Sequence, residues 1–233
     1  MSAFHDQFEP DPEMDGETRI WKTEKPLFRN AVVAYAPPYP EYPKLKLGRS
    51  RQPSGDPSCP SARDVGDEIV VTLYANNGNG FGDYQERAWE YIMANAPEIE
   101  ASLRRKLFAR HQKAYKQFLE EYLPDDRKIQ NYWKKIENEL DWHDASAIDQ
   151  LYKLVGIGLV DNGLDDCGFS SFEFQTGWDR DHGTGILMHK SKVLVAGGMQ
   201  EDISHGPELI ESIKYVQSYD LDDGDLALSE TEP

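Results

Sequence analysis

The stretch FSSFEFQTGWDRDHGTGILMHKSKVLVAGG, residues 169–198, decides the fold of this chain. Its first part alternates, with Phe172 and Phe174 on one face and polar residues on the other, which predicts a strand packed on a core. Its last part, GILMHKSKVLVAGG, predicts a hairpin that turns at Lys190 and Ser191. Because strands joined by short turns are antiparallel neighbours, this end of the chain predicts an antiparallel sheet.

The residues upstream predict further strands with helices between them. DEIVVTLYA, residues 67–75, is rich in β-branched residues, and residues 147–161 begin as a helical turn and end as an apolar strand. A capping box of Asp83 and Glu86 opens the first helix. His111 lies in the apolar stripe of the second helix, which predicts a buried histidine. The three helices predicted between these strands cover residues 83–97, 97–122 and 125–140.

The order of elements is strands, helices, strands, which is typical of an α+β fold. We expect an antiparallel sheet built from N- and C-terminal strands, with a central run of about three helices packed on one side. A last helix is predicted over residues 207–219. The expected organisation is a single domain over residues 18–219 with a Pro-rich inserted loop at residues 37–67. The acidic stretches at residues 1–17 and 220–233 predict disordered tails.

The formal net charge of −17 is concentrated in the two tails. Residues 1–17 and 220–233 carry six acids each and no lysine or arginine, which leaves 30 acids against 25 bases in the rest. This balance argues against nucleic-acid binding, whose affinity comes from phosphate neutralisation, and favours a basic protein as the partner. A basic cluster on the second helix is interpreted as its solvated face, and consists of Arg104, Arg105, Lys106, Arg110, Lys113 and Lys116.

The chain lacks the patterns of a secreted or membrane protein. Cys59 and Cys167 form neither a CxxC motif nor a disulfide framework. Residues 1–17 have no basic region and no apolar run, and no stretch reaches the ~18 apolar residues needed to span a bilayer. We therefore expect a cytoplasmic protein that does not bind a membrane.

The stretch TGWDRDHGTG, residues 176–185, holds the densest set of chemically active side chains. Asp179 and Asp181 have the spacing of the paired aspartates in phosphoryl-transferring enzymes, where one carboxylate attacks and the other acts as acid or base. His182 interrupts that pattern. Those enzymes also require a buried parallel strand before the motif, whereas polar residues such as Glu173 predict that this strand is half exposed. The spacing therefore argues against phosphoryl transfer.

The same residues fit metal sites poorly. Counted from Asp179, a calcium-binding loop requires a bidentate glutamate at the twelfth position, where the chain has Lys190. A zinc site formed by Asp179, His182 and His189 would have no H-x-x-x-H spacing and no cysteine pair to support it. We expect no cofactor and no metal, and we keep these three residues as a weak alternative.

A structural role accounts for nearly every residue of the stretch. Asp179 can form an Asx-turn, and Gly183 and Gly185 can supply positive φ. Trp178 can pack on the sheet, and Asp181 can pair with the histidine that follows it. We interpret the stretch as a rigid connection between strands whose surface serves recognition. The expected binding residues are Trp178, Asp179, Asp181, His182, Gly183 and Gly185.

The segment WDRDHGTGILMHKSKVLVAGG resembles the signature of a family of uncharacterised bacterial domains, which is Trp-Asp-x-Glu-His-Gly-x-Gly followed by two apolar strands. Asp181 stands where the family tends to have glutamate. The order of WKTEKPLF, EIVVTLYA and LYKLVGIGL is similar too, so the resemblance covers roughly residues 20–200 without residues 37–67. It implies no established activity, and some relatives resemble components of toxin-immunity or phage-related neighbourhoods. The residues that match are Trp178, Asp179, His182, Gly183 and Gly185.

Two hypotheses about function follow. The first is a non-enzymatic protein-interaction module of immunity type that binds a basic protein. The alternative is a hydrolase whose catalytic residues are Asp179, Asp181 and His182, with or without a divalent metal. The alternative predicts a solvent-open cleft at residues 178–185 and a carboxyl with a strongly perturbed pKa.

Overall fold

The structure is a computed structural model that describes residues 4, 8–10, 18–23, 69–74, 82–122, 144–149, 152–176, 183–197, 208–219 and 224–228. Within these residues, seven strands form one sheet whose strand order follows the chain. The strands are β1 (Glu9–Pro10), β2 (Thr18–Thr23), β3 (Ile69–Tyr74), β4 (Tyr152–Leu164), β5 (Cys167–Thr176), β6 (Thr184–His189) and β7 (Lys192–Gly197). The helices are α1 (Asp83–Tyr122), a short 3-10 helix (Ala145–Ile148) and α2 (Leu209–Tyr219).

The sheet is mostly antiparallel, and the α+β class is confirmed. The exception is the central pair of β3 and β4, which is parallel. The prediction of a wholly antiparallel sheet is wrong at this pair. The physical reason is the long connection through α1, because a helix that crosses one face of a sheet allows the next strand to run in the same direction as the one before it.

The first two predicted helices form one kinked element, α1. Pro97 has no N–H and its ring displaces the preceding turn, and the backbone leaves helical geometry at Asn95 (φ −121°, ψ 21°). The side-chain amide of Asn95 donates a hydrogen bond to the Tyr91 carbonyl at 2.9 Å. The described residues therefore contain two α-helices, α1 and α2, rather than a central run of about three. The predicted helix over residues 125–140 lies outside the described residues.

α1 covers one face of the sheet. Its buried stripe meets Phe172 and Phe174 of β5 in one apolar core, so the alternation predicted for this strand is confirmed on that face. His111 is 1% exposed, and the prediction of a buried histidine is confirmed. The stripe consists of Ile99, Leu103, Leu107 and His111.

α2 covers part of the opposite face, and the last predicted helix is confirmed. Leu209 and Ile213 pack on Phe169, whose position on β5 alternates with the residues of the first core. Because a helix lies on each face, the polar side of β5 is not simply solvent-facing. Ser171 is fully buried, so the prediction of a half-exposed strand is wrong at this position.

Parts of the stretches predicted to be disordered tails are described by the structure and pack on the domain. Phe4 and Phe8 are both buried, and their ring centroids are 5.1 Å apart. Leu228 is buried in the core that α2 forms with the sheet. Apolar side chains from both acidic stretches thus contribute to the folded core. The Pro-rich stretch at residues 37–67 lies outside the described residues.

Candidate functional site

Most of the predicted binding residues lie outside the described part of the chain, namely Trp178, Asp179, Asp181 and His182. The structure does describe the two strands that flank them. β5 ends at Thr176, β6 begins at Thr184, and Phe174 pairs with Thr184 in the last rung of the ladder. The stretch therefore joins two neighbouring antiparallel strands, as the sequence predicts.

The two glycines of this stretch have different backbone roles. Gly183 has a φ of 65°, so the prediction of positive φ is confirmed there. Gly185 lies inside β6 and pairs with Glu173 of β5 and Gly197 of β7. The prediction of positive φ at Gly185 is wrong, because pairing on both sides holds its backbone extended.

His189 lies at the end of β6 that is remote from the predicted loop. Five residues of extended chain separate it from Thr184, a distance of about 17 Å. Its Nε2 donates to the Leu164 carbonyl at 2.8 Å, its ring meets Phe169 edge-on, and burial lowers its pKa. The structure therefore places His189 away from the strand end that leads to Asp179. Across the described part of the chain, no three acidic, histidine or cysteine side chains come together to hold a metal ion.

A row of residues across four strands has the features of a binding site. Glu173 of β5 pairs with Gly156 of β4 and with Gly185 of β6, and Gly185 pairs with Gly197 of β7. We call these four residues the Glu173 row. It lies on the face opposite α1, and with ~4.8 Å between strands it spans about 14 Å. Glycine inside a strand often marks a place where another group approaches the backbone closely.

The carboxyl of Glu173 is largely enclosed and leans over β4. A Cβ atom on Gly156 would lie 3.0 Å from Glu173 Oε2, so only glycine leaves room for the carboxyl without a shift. Burial raises the pKa of Glu173. None of the described residues donates a hydrogen bond to this carboxyl or forms an ion pair with it. Removal from water without a partner is costly for a carboxylate, so this group is suited to bind a cation or donor from outside.

Side chains border the Glu173 row on both sides along the strands. On the side of α2, a Cβ on Gly158 would collide with Ser171 Oγ and lie 2.8 Å from Cε2 of Tyr74. On the other side lies Lys153, which is 6% exposed and forms no ion pair with the carboxyl of the row. Towards β7 the row is open, since no heavy atom of the described residues lies within 4 Å of a Cβ placed on Gly197.

The Glu173 row is not recognisable from the sequence alone, where Glu173 is one polar residue on the outer face of an alternating strand. A signal was present in the glycines at positions 156, 185 and 197, because glycine weakens a strand unless close packing or ligand approach requires it. These glycines can be assigned to one site only once the pairing of the strands is known, because that pairing places them in one row with Glu173.

Two arginines of the basic cluster on α1 form contacts with other parts of the domain. Arg104 is 2.8 Å from Asp149 Oδ1 through Nε and 3.0 Å from Glu100 Oε1 through Nη2. Arg110 donates to the Ala196 carbonyl of β7 at 3.3 Å. The interpretation of the whole cluster as a solvated face is therefore too simple, because these two arginines connect α1 to the 3-10 segment and to the sheet.

Comparison with known proteins places this fold in a family. No curated protein and no solved structure matches the chain. Within the described residues, no helix combines the length and apolar character needed to cross a membrane. Residues 54–204, more than half of the chain, match a family described as a domain of unknown function, DUF6985, and this range includes the predicted loop and the Glu173 row. The expectation of an uncharacterised domain family is confirmed, and the chain belongs to the DUF6985 family.

Proposed function

We propose that this domain is a non-enzymatic protein-interaction module whose Glu173 row receives a lysine or arginine side chain of a basic partner. The observation that carries the proposal is the largely enclosed carboxyl of Glu173, which has no hydrogen-bond or ion-pair partner among the described residues. A cation brought to this carboxyl forms an ion pair in a partly desolvated place, where attraction between charges is stronger than in water.

The shape of the row supports a long cationic side chain. Gly185 is buried, whereas the row is open at Gly197, which carries no side chain. Lysine and arginine lay their aliphatic stems along apolar surfaces while the charged end reaches a polar group. The row thus offers the stem an open position at Gly197 and offers the charged end the carboxyl of Glu173.

The charge of the whole chain supports a basic protein as the partner. A formal net charge of −17 attracts a basic protein over long range and speeds their encounter. Together with the resemblance to bacterial domains of toxin-immunity neighbourhoods, this supports a soluble, cytoplasmic bacterial protein of immunity type that caps a basic protein. The Glu173 row then serves as the local contact that follows the long-range attraction.

Titration with a short peptide of alternating lysine and serine tests this proposal, with carbon-13 NMR of the Glu173 carboxyl as the readout. We expect the peptide to shift the Glu173 signal and to lower the pKa of its carboxyl, because a bound cation favours the charged form. Glu173→Gln keeps the shape of the side chain and removes its charge. We expect it to weaken peptide binding about tenfold, the effect of one charge-assisted contact.

Glu211→Gln is the matched control, because Glu211 is an exposed acid of α2 that does not belong to the row, and its loss changes the net charge equally. We expect nearly unchanged binding in this variant. Equal weakening by both substitutions would show that only the net charge attracts the peptide. Full binding by Glu173→Gln would also contradict the proposal.

A hydrolase that uses Asp179, Asp181 and His182 is the second candidate. One observation favours it: a carboxyl with a raised pKa, the property of a general acid, lies three residues before β5 ends and the predicted loop begins. Elemental analysis of the purified protein and the variant Asp179→Ala test this candidate. A folded variant that loses a measured hydrolytic activity supports it, whereas a variant that unfolds in the absence of bound metal supports the structural role.

A further inference from the structure

A segment near the C-terminal end of the chain forms hydrogen bonds with the outer edge of β7. β7 ends the sheet among the described residues, and the edge of a sheet offers N–H and C=O groups to any extended segment. The Val193 carbonyl accepts hydrogen bonds from the N–H groups of Asp225 at 2.6 Å and Leu226 at 3.1 Å. The Val193 N–H donates to Asp225 Oδ2 at 3.4 Å. Residues 224–228, which we call the C-terminal clip, therefore occupy this edge.

A single glutamine of α2 holds the backbone of the clip. Gln217 Nε2 donates to the Leu226 carbonyl at 2.9 Å, and Gln217 Oε1 accepts the Leu228 N–H at 3.1 Å. Nε2 also donates to the Leu194 carbonyl of β7 at 2.8 Å. One buried amide thus binds the two main-chain groups that flank Ala227 and links them to the sheet edge. A side-chain amide that pairs with main-chain groups holds a segment independently of the side chains of that segment.

The side chains of the clip add specificity. Leu228 is 1% exposed, and Leu226 packs against the same core as Ile213 of α2. Gly224 passes so close to β7 that a Cβ there would lie 2.8 Å from the Leu194 carbonyl oxygen. The groove between β7 and α2 therefore accepts two leucines separated by one residue, preceded by a glycine.

The groove is also suited to an acidic segment. Asp225 accepts from the backbone of β7 and lies 3.9 Å from Nη2 of Arg105 on α1. The sequence around the clip, DDGDLALSE at residues 222–230, carries four acids and no base. Its charge thus complements Arg105 of α1.

We infer that the groove between β7 and α2 is a docking site for a short, bent acidic segment of a partner protein that carries two leucines separated by one residue. The C-terminal clip fills this groove in the free protein and acts as an internal competitor. Two features favour displacement of the clip: it is not a strand of the sheet, and it meets the backbone of β7 at Val193 without pairing along the strand. The groove uses Val193, Leu194 and Gln217, none of which belongs to the Glu173 row, so the inference does not rest on the proposed role of Glu173.

Binding of a fluorescently labelled peptide DDGDLALSE to the full-length chain tests the inference. In the double variant Leu226→Ser, Leu228→Ser the clip loses its anchors while the groove stays unchanged. We expect this variant to bind the peptide at least about tenfold more tightly than the unmodified chain, because an attached competitor has an effective concentration in the millimolar range. Ala227→Ser retains both leucines and is the matched control, for which we expect the affinity of the unmodified chain.

A peptide with both leucines replaced by serine controls for charge alone. The inference is overturned if the folded double variant does not bind DDGDLALSE, or binds the serine peptide equally well. Hydrogen exchange of the unmodified chain provides a second test that does not depend on a variant folding. We expect the amides of Leu226 and Leu228 to exchange at least about tenfold faster than those of β6, through local opening. Exchange of both sets at the same rate would show that the clip does not open separately, and would overturn the inference.

Discussion

His111 and Glu173 are ionisable side chains whose surroundings favour the uncharged form. His111 lies in the buried stripe of α1, and burial lowers its pKa to about 4. Burial raises the pKa of Glu173. The two residues differ in how they could be recognised. The helical period marks His111 as buried from its neighbours in the chain, whereas the environment of Glu173 depends on Gly156 and Gly185, which come from other strands.

Substitution of His111 by leucine is expected to remove a pH dependence of stability. The unfolded chain takes up a proton near the ordinary pKa of 6.5, whereas the folded chain does so only near 4. The stability that depends on neutral His111 is therefore complete above about pH 7 and is lost as the pH falls through this window. The full effect is up to about 3 kcal/mol in the free energy of unfolding.

Urea unfolding of both proteins at neutral pH and near pH 4 measures this effect. We expect the unmodified chain to lose more stability than His111→Leu over this range, since the many carboxyl groups titrate in both proteins and their contribution cancels in the comparison. A constant difference between the two proteins across the range would contradict the prediction.

At the scale of elements, Gln85 holds the parallel strand pair and the start of α1 together. Its Nε2 donates to the carbonyls of Tyr74 on β3 at 2.8 Å and Leu159 on β4 at 3.2 Å. Its Oε1 accepts the N–H of Gly82 at 3.3 Å, which caps the helix. The capping box predicted to begin at Asp83 is therefore wrong by one residue. The sequence spacing allowed a cap that pairs Asp83 with Glu86 and also one that pairs Gly82 with Gln85. The position of α1 against β3 and β4 selects the second, which buries Gln85.

Replacement of Gln85 by leucine is expected to lower the free energy of unfolding by about 2 kcal/mol, because buried carbonyl groups on β3 and β4 lose a donor. Glu86→Ala is the matched control, since Glu86 belongs to the capping box that the sequence predicted. We expect that control to change stability by less than about 0.5 kcal/mol. Chemical denaturation measures the free energy of unfolding of both variants. An equal decrease in both would contradict this prediction and support the capping box of Asp83 and Glu86.

At the scale of the whole molecule, residues from both acidic terminal stretches contribute to the folded domain, although their composition alone would predict that they are solvated. Phe4 packs on Phe8 and lies with its ring centroid 6.4 Å from that of Trp89 on α1. Leu228 joins the core on the other face of the sheet. Each face thus receives apolar residues from one end of the chain. Acidic composition predicts solvation on average, but single aromatic or leucine side chains can still reach the core.

Phe8→Ala is expected to destabilise the protein by about 3 kcal/mol, because it removes a buried ring and leaves a cavity beside Phe4. Met93→Ala is the control: Met93 is also an apolar residue, on α1, but is 54% exposed. We expect a loss below about 1 kcal/mol for the control. Thermal unfolding measures both, and a neutral Phe8→Ala would show that the N-terminal stretch does not contribute to the core.

Local patterns accounted for most of the elements. The three- and four-residue spacing predicted the buried stripe of α1, and two-residue alternation predicted the face of β5 that carries Phe172 and Phe174. The turn at Lys190 was also predictable, and its φ of 55° fits a tight hairpin. The loop residue Gly183 adopts the positive φ expected of it. Each of these features depends on residues that are neighbours in the chain.

The sequence by itself thus determined the α+β class, the buried faces of α1 and β5, and the position of the hairpin at Lys190 and Ser191. Only the tertiary structure decided that β3 and β4 run parallel, that Glu173 lies between Gly156 and Gly185, and that Gln217 closes the edge of β7. The reason is physical: periodicity acts along one segment, whereas strand direction, register and the burial of a polar group depend on residues far apart in the chain.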